Sequence, residues 1–64
     1  MSDEEMLNEA AEIVFDYFGE EYWKAVIWWS TNNPALGGIE PIHMYEMGRM
    51  KKLLKLVKAL RDGY

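Results

Sequence analysis

The sequence predicts an all-α fold, a small single-domain bundle of about four helices. Three observations predict it. Apolar residues recur at three- and four-residue steps from Met6 to Phe18 and again from Met47 to Leu60, the spacing of helices with one buried face. No stretch alternates apolar and polar residues in the manner of a strand. The periodic stretches are separated by Gly19, Pro34, Gly37, Gly38 and Pro41, residues that end or open helices rather than continue them.

For the first helix, Ser2 or Asp3 can supply the cap, and Glu4 and Glu5 suit the positive end of the helix dipole in its first turn. Met6, Leu7, Ala10, Ile13, Val14, Tyr17 and Phe18 form its inner face, and Gly19 ends it. A second helix spans Glu20 to Ser30 and carries Tyr22, Trp23, Ala25, Val26, Ile27, Trp28 and Trp29 on nearly every face. A helix of that kind is either central or covered by another molecule. In so short a chain some of these aromatics are expected to lack intramolecular cover, which marks an interface.

The loop that follows is built from residues with fixed backbone preferences. Asn33 precedes Pro34, whose ring disfavours the helical region for the residue before it, so the second helix stops there. Gly37 and Gly38 permit the positive φ of a tight reversal. Leu36 is the large apolar residue within the loop and is expected to plug it onto the core. Pro41 suits the first turn of a short third helix reaching about Tyr45. The fourth helix is predicted from Glu46 or Met47 to Arg61. Met47, Met50, Leu53, Leu54, Val57 and Leu60 make its apolar face, and Lys51, Lys52, Lys55 and Lys58 lie mostly opposite. Cations near its C-terminus complement the dipole. Asp62 and Gly63 read as a stop, leaving Tyr64 as a free terminal residue.

Length and composition narrow the function. The 64 residues form one domain, 1–64, near the low end of what folds without staples. No Cys is present, which removes disulfides and thiolate metal sites and fits a reducing cytosol. A core of this size rarely supplies more than about 3–5 kcal/mol, so dimerisation or a bound partner would help. No apolar run approaches the roughly 20 residues of a membrane span, and the N-terminus is acidic where a signal peptide is basic. A soluble, cytoplasmic protein is expected, with no membrane partner, and the opening Met-Ser-Asp-Glu-Glu reads as a natural start.

The net charge of −4 is unevenly distributed. Acids from Asp3 to Glu21 fill the first third with no base before Lys24, whereas Arg49 to Arg61 is basic with no acid inside it. The overall sign argues against a dedicated nucleic-acid binder, although the basic stripe could track phosphates.

Side chains capable of chemistry have plainer explanations. His43 is the sole histidine, and no His-x-x-x-His pattern, Cys or Ser–His pairing accompanies it, so it is placed on a helix flank rather than on a metal. Carboxylate pairs such as Glu5–Glu9 and Glu12–Asp16 belong to a solvated face, which lacks the cleft that acid–base catalysis needs. Met44, Met47 and Met50 are read as core filling. The Gly37–Gly38 pair lacks the spacing and preceding strand of a phosphate loop. No catalytic residue, metal site or cofactor is therefore assigned, and the chain is not read as an enzyme.

Trp28, Thr31, Asn33, Pro34, Ala35, Leu36, Gly37, Gly38 and Pro41 resemble the signature Trp-Leu-x-Thr-x-Asn-x-Ala-Leu-Gly-Gly-x-x-Pro of the toxin-binding domain of Xre/MbcA/ParS-type antitoxins. Gly48, Arg61 and Gly63 stand near later family positions, and the resemblance runs from about Phe15 to the end. It departs at Trp29, where the family has Leu, in a shorter Pro41–Gly48 interval, and in having too few upstream residues for the helix-turn-helix segment of the family.

The resemblance implies a non-enzymatic antitoxin whose C-terminal end enters the active-site cleft of an NAD-degrading RES-type toxin, or a related ADP-ribosyltransferase, and obstructs its nucleotide substrate. The partner-binding residues it implies are Trp29, Asn32, Asn33, Leu36, Gly37 and Gly38, with Arg61, Asp62, Gly63 and Tyr64 as the plug. Such a domain could serve as a stand-alone antitoxin encoded by a phage or mobile element. The alternatives are a homodimerisation module built on the exposed aromatics and, third, a small nucleic-acid-binding protein.

Overall fold

Helix boundaries follow from where backbone groups find partners. In the computed structural model, residues 1–63 are described, and Tyr64, assigned above to the obstructing plug, lies outside them. The chain forms α1 (Asp3–Phe18), α2 (Tyr22–Trp29), a short 3-10 turn (Pro34–Leu36), α3 (Pro41–Glu46) and α4 (Met50–Arg61). Among the described residues there is no strand, only an isolated bridge between Asn33 and Ile39. The all-α bundle expected from periodicity is the fold.

Ser2 caps α1. Its hydroxyl accepts from the Glu5 N–H at 3.1 Å, while the Ser2 N–H donates to Glu5 Oε1 at 3.0 Å. This reciprocal arrangement satisfies donors that the first turn would otherwise leave orphaned. It holds the Glu5 carboxyl below its ordinary range, chiefly through the Ser2 backbone N–H and next through the Ser2 hydroxyl.

Two boundaries differ from expectation. The second helix begins at Tyr22 rather than Glu20 because Glu21 keeps a non-helical ψ of 54°. Glu21 instead closes the turn: its N–H donates to the Phe18 carbonyl at 3.1 Å, and its carboxylate pairs with Lys24 at 2.8 Å. The fourth helix begins at Met50 rather than Glu46 or Met47 because Gly48 takes a φ of 69°. That left-handed residue ends α3, and the Arg49 N–H folds back to the Met44 carbonyl at 2.9 Å. The break splits the methionine triple. Met44 and Met50 are buried, but Met47 is exposed and does not fill the core.

α1 packs chiefly along α4. Between them Met6, Ala10, Ile13 and Val14 meet Met50, Leu53, Leu54 and Val57. Ala25 and Trp29 from α2, Leu36 from the 3-10 turn and Met44 from α3 complete the cluster. Leu60 is only partly buried at the end of α4, and Tyr17, expected on the inner face of α1, is exposed because it turns to the flank of α1 that Arg61 borders. The acidic and basic helices thus lie side by side, linked by Lys58 Nζ and Glu9 Oε2 at 3.5 Å.

Candidate protein-binding site

The loop after α2 is held from within, largely by one residue. Ser30 and Thr31 end α2 by turning their hydroxyls back onto its last turn, with bonds to the carbonyls of Val26 at 2.9 Å and Ile27 at 2.6 Å respectively. Asn33 then organises the reversal. Its N–H donates to the Ile39 carbonyl at 3.1 Å, and its own carbonyl accepts from Leu36 and Gly38, each at 2.9 Å. Its side-chain Oδ1 accepts from the Ala35 N–H at 2.9 Å, which caps the 3-10 turn. Pro34 opens that turn with a fixed φ. Gly37 and Gly38 complete the reversal at φ 72° and 81°, where a β-carbon would be strained. Leu36, 2% exposed, points inwards as expected and pins the whole loop to the core.

Three residues expected to contact a partner are tied into the fold itself. Trp29 is buried, 8% exposed, because its side chain lies on the face of α2 that meets the core. Leu36 is buried for the reason just given. The Asn33 amide oxygen is occupied within its own loop. Trp29 and Leu36 support the site from within the core, and Asn33 holds the loop while also lining the groove beside it. Trp29 also leaves its indole Nε1 without a hydrogen-bond acceptor among the described residues, and its ring stacks edge-on against Trp28 at 5.3 Å between centroids.

Beside this loop lies an apolar groove of about 330 Å³. Phe18, Ile27, Trp28 and Pro34 line it, with Lys24, Thr31, Asn32 and Asn33 among its polar walls. Asn32 is exposed at that wall and its side chain makes no hydrogen bond within the described residues. Of the predicted residues, Asn32 and Asn33 line the groove, while Gly37 and Gly38 are exposed and do not line it.

Phe18, Lys24, Ile27, Trp28, Thr31 and Pro34 also line the groove and are not among the partner-binding residues named from sequence. Phe18 sits at inward-facing helical spacing, and nothing local shows that α1 ends against the loop.

The start of the chain end borders a second recess, on the other flank of α1. Arg61 joins Glu9, Glu12, Ile13, Asp16 and Tyr17 around a cleft of about 450 Å³. Its guanidinium Nε lies 3.2 Å from Asp62 Oδ1. Tyr17 and Phe18, consecutive in sequence and ring-to-ring at 5.2 Å, link the two recesses: Tyr17 lines the cleft with Arg61, and Phe18 lines the groove with Pro34. Arg61, Asp62 and Gly63 are all exposed. The groove and the chain end therefore flank the last turn of α1 from opposite sides.

His43 stands apart, its Nδ1 3.3 Å from Glu40 Oε2 one turn earlier on the flank of α3. Among the described residues no three His, Asp or Glu side chains converge as a metal site, and no helix is long and apolar enough to cross a membrane.

The outer face of α2 remains uncovered. Tyr22, Trp23, Val26 and Ile27 are 63%, 50%, 53% and 60% exposed, so four large apolar side chains stand in water on a helix of 8 residues. No protein-family model, curated protein or solved structure matches the chain.

Proposed function

We propose that this chain is a non-enzymatic protein-binding module that neutralises a toxin by obstructing its active site. The observation that carries the reading is the apolar groove beside a loop locked by Asn33 and Leu36, with an exposed chain end on the other flank of the same helical turn. A preorganised loop loses little freedom on binding, and an apolar recess with a few polar groups at its wall suits a protruding partner side chain. Arg61, Asp62 and Gly63 are exposed, so this end of the chain can enter a partner's cleft while the groove holds the body of the complex. Steric exclusion of that kind requires no chemistry from this chain.

The class of partner follows from the resemblance in the loop: an NAD-consuming toxin of RES type, or a related ADP-ribosyltransferase. The test is affinity capture from the cells that produce the protein, with the wild-type chain beside Asn32→Arg. Asn32 is exposed and makes no internal bond, so this substitution crowds the groove and leaves the fold intact. An NAD-consuming protein held by the wild type and lost with Asn32→Arg is the expected result. Equal retention by both chains would remove the groove from the mechanism, and capture of no NAD-consuming protein would refute the toxin assignment.

A further inference from the structure

The uncovered face of α2 has one occupant that its chemistry favours over others. Trp23, Val26, Ile27 and Ser30 fall at the i, i+3, i+4, i+7 spacing with which a helix packs against another helix. The stripe carries no charge. The only ionisable side chain whose charge α2 brings, that of Lys24, is paired with Glu21 at 2.8 Å.

A symmetric dimer requires each patch to meet itself. The outward face of α1 would set Glu4, Glu5, Glu12 and Asp16 against their own copies, and that of α4 would set Lys51, Lys52 and Lys55 against theirs. Among the helices longer than two turns, α2 alone offers self-contact without opposed like charges. We propose that the protein is a homodimer in which α2 packs antiparallel on α2 of a second copy.

The shape of the stripe selects the antiparallel direction. It is bulky at one end, Tyr22 and Trp23, and small at the other, Ser30, whose hydroxyl is already bonded to the Val26 carbonyl. With the two-fold axis passing between Val26 and Ile27, Trp23 of each copy lies over Ser30 of the other. A parallel pairing would instead stack the bulky ends on each other.

The exposed area sets the strength. Four partly exposed side chains, where a whole aromatic spans about 150–250 Å², give on the order of 450 Å² per copy. That is about half of what a standard stable interface buries on each partner, so the dimer is weak and reversible. Trp28, Pro34 and Asn32 lie outside the seam, which leaves most of the groove open on each copy. The dimer is independent of the neutralisation reading.

Sedimentation equilibrium of the full chain, from about micromolar to about millimolar concentration, tests it. The wild type passes reversibly from monomer to dimer, and Val26→Asp, at a site already half exposed, raises the dissociation constant about tenfold or more with far-UV circular dichroism unchanged. Because the chain has no cysteine, Val26→Cys beside the axis oxidises to a disulfide-linked dimer faster than Lys55→Cys on α4. A monomer at every concentration overturns the proposal, as does a dimer indifferent to Val26→Asp or faster linkage through Lys55→Cys. A monomer in which Val26→Asp abolishes capture of a toxin also overturns it and gives the stripe to that partner.

Discussion

Leu36→Ala is the most informative single change in the fold, because it separates a loop that is merely present from one that is anchored. Leu36 is 2% exposed and belongs to the same buried cluster as Leu53 and Val57 of α4. Removing its three distal carbons loses transfer free energy of about 0.8 kcal/mol per methylene, or about 2.4 kcal/mol. The cavity left behind adds to this, which places the variant within the usual 2–5 kcal/mol and near about 3 kcal/mol. A domain of this size holds about 3–5 kcal/mol in all, so the variant sits close to its unfolding midpoint at room temperature. At about 4–8 °C per kcal/mol for a chain this short, the melting temperature falls by about 12–24 °C. Thermal melts followed by far-UV circular dichroism measure the shift. Leu36→Met, which nearly conserves volume, should cost less than about 1.5 kcal/mol. A fall of less than about 4 °C for Leu36→Ala would refute the account of the loop as pinned to the core.

Three further outcomes follow from the same structure. Gly37→Ala meets no atom within 4 Å of the new carbon but keeps a φ of 72°, so urea denaturation should show a loss of about 1–2 kcal/mol from backbone strain alone. Lys58→Ala removes a pair whose side chains are 43% and 36% exposed. Solvent screens that interaction, and stability by urea titration should change by less than about 1 kcal/mol. Glu5 gives a pH dependence: its carboxyl titrates lower folded than unfolded, so its contribution is full above the unfolded glutamate value of about 4.3 and is lost as pH falls through the folded value. Melts between neutral and acid pH should show this loss in the wild type and a smaller one in Glu5→Gln.

The helices were legible in the sequence wherever one face is apolar and the ends are marked, as in α1 with Ser2 and Gly19. The start of α4 was not, because Met47 continues the apolar spacing of Met50 and Leu53. Only the left-handed turn at Gly48 shows that the helix is interrupted there. In α2 apolar residues cover nearly every face, so spacing carries little information about direction: Trp29 turns inward and Trp23 outward, and packing against α1 decides between them. The loop shows the same limit. Its residue types announce a tight, specific turn, but which of them hold it and which face outward depends on hydrogen bonds. Asn33 and Asn32 are adjacent and chemically identical, yet the first is bound within the loop and the second is free at the groove wall.

In the proposed mode of neutralisation the chain end obstructs a toxin whose body is held at the groove. NAD turnover by the captured toxin, titrated with the full chain and with a chain ending at Leu60, tests it most directly. The full chain should abolish turnover, whereas the shortened chain should still bind through the groove but leave most of the turnover intact. Equal inhibition by both chains would contradict the obstruction mechanism, and inhibition by neither would contradict neutralisation altogether.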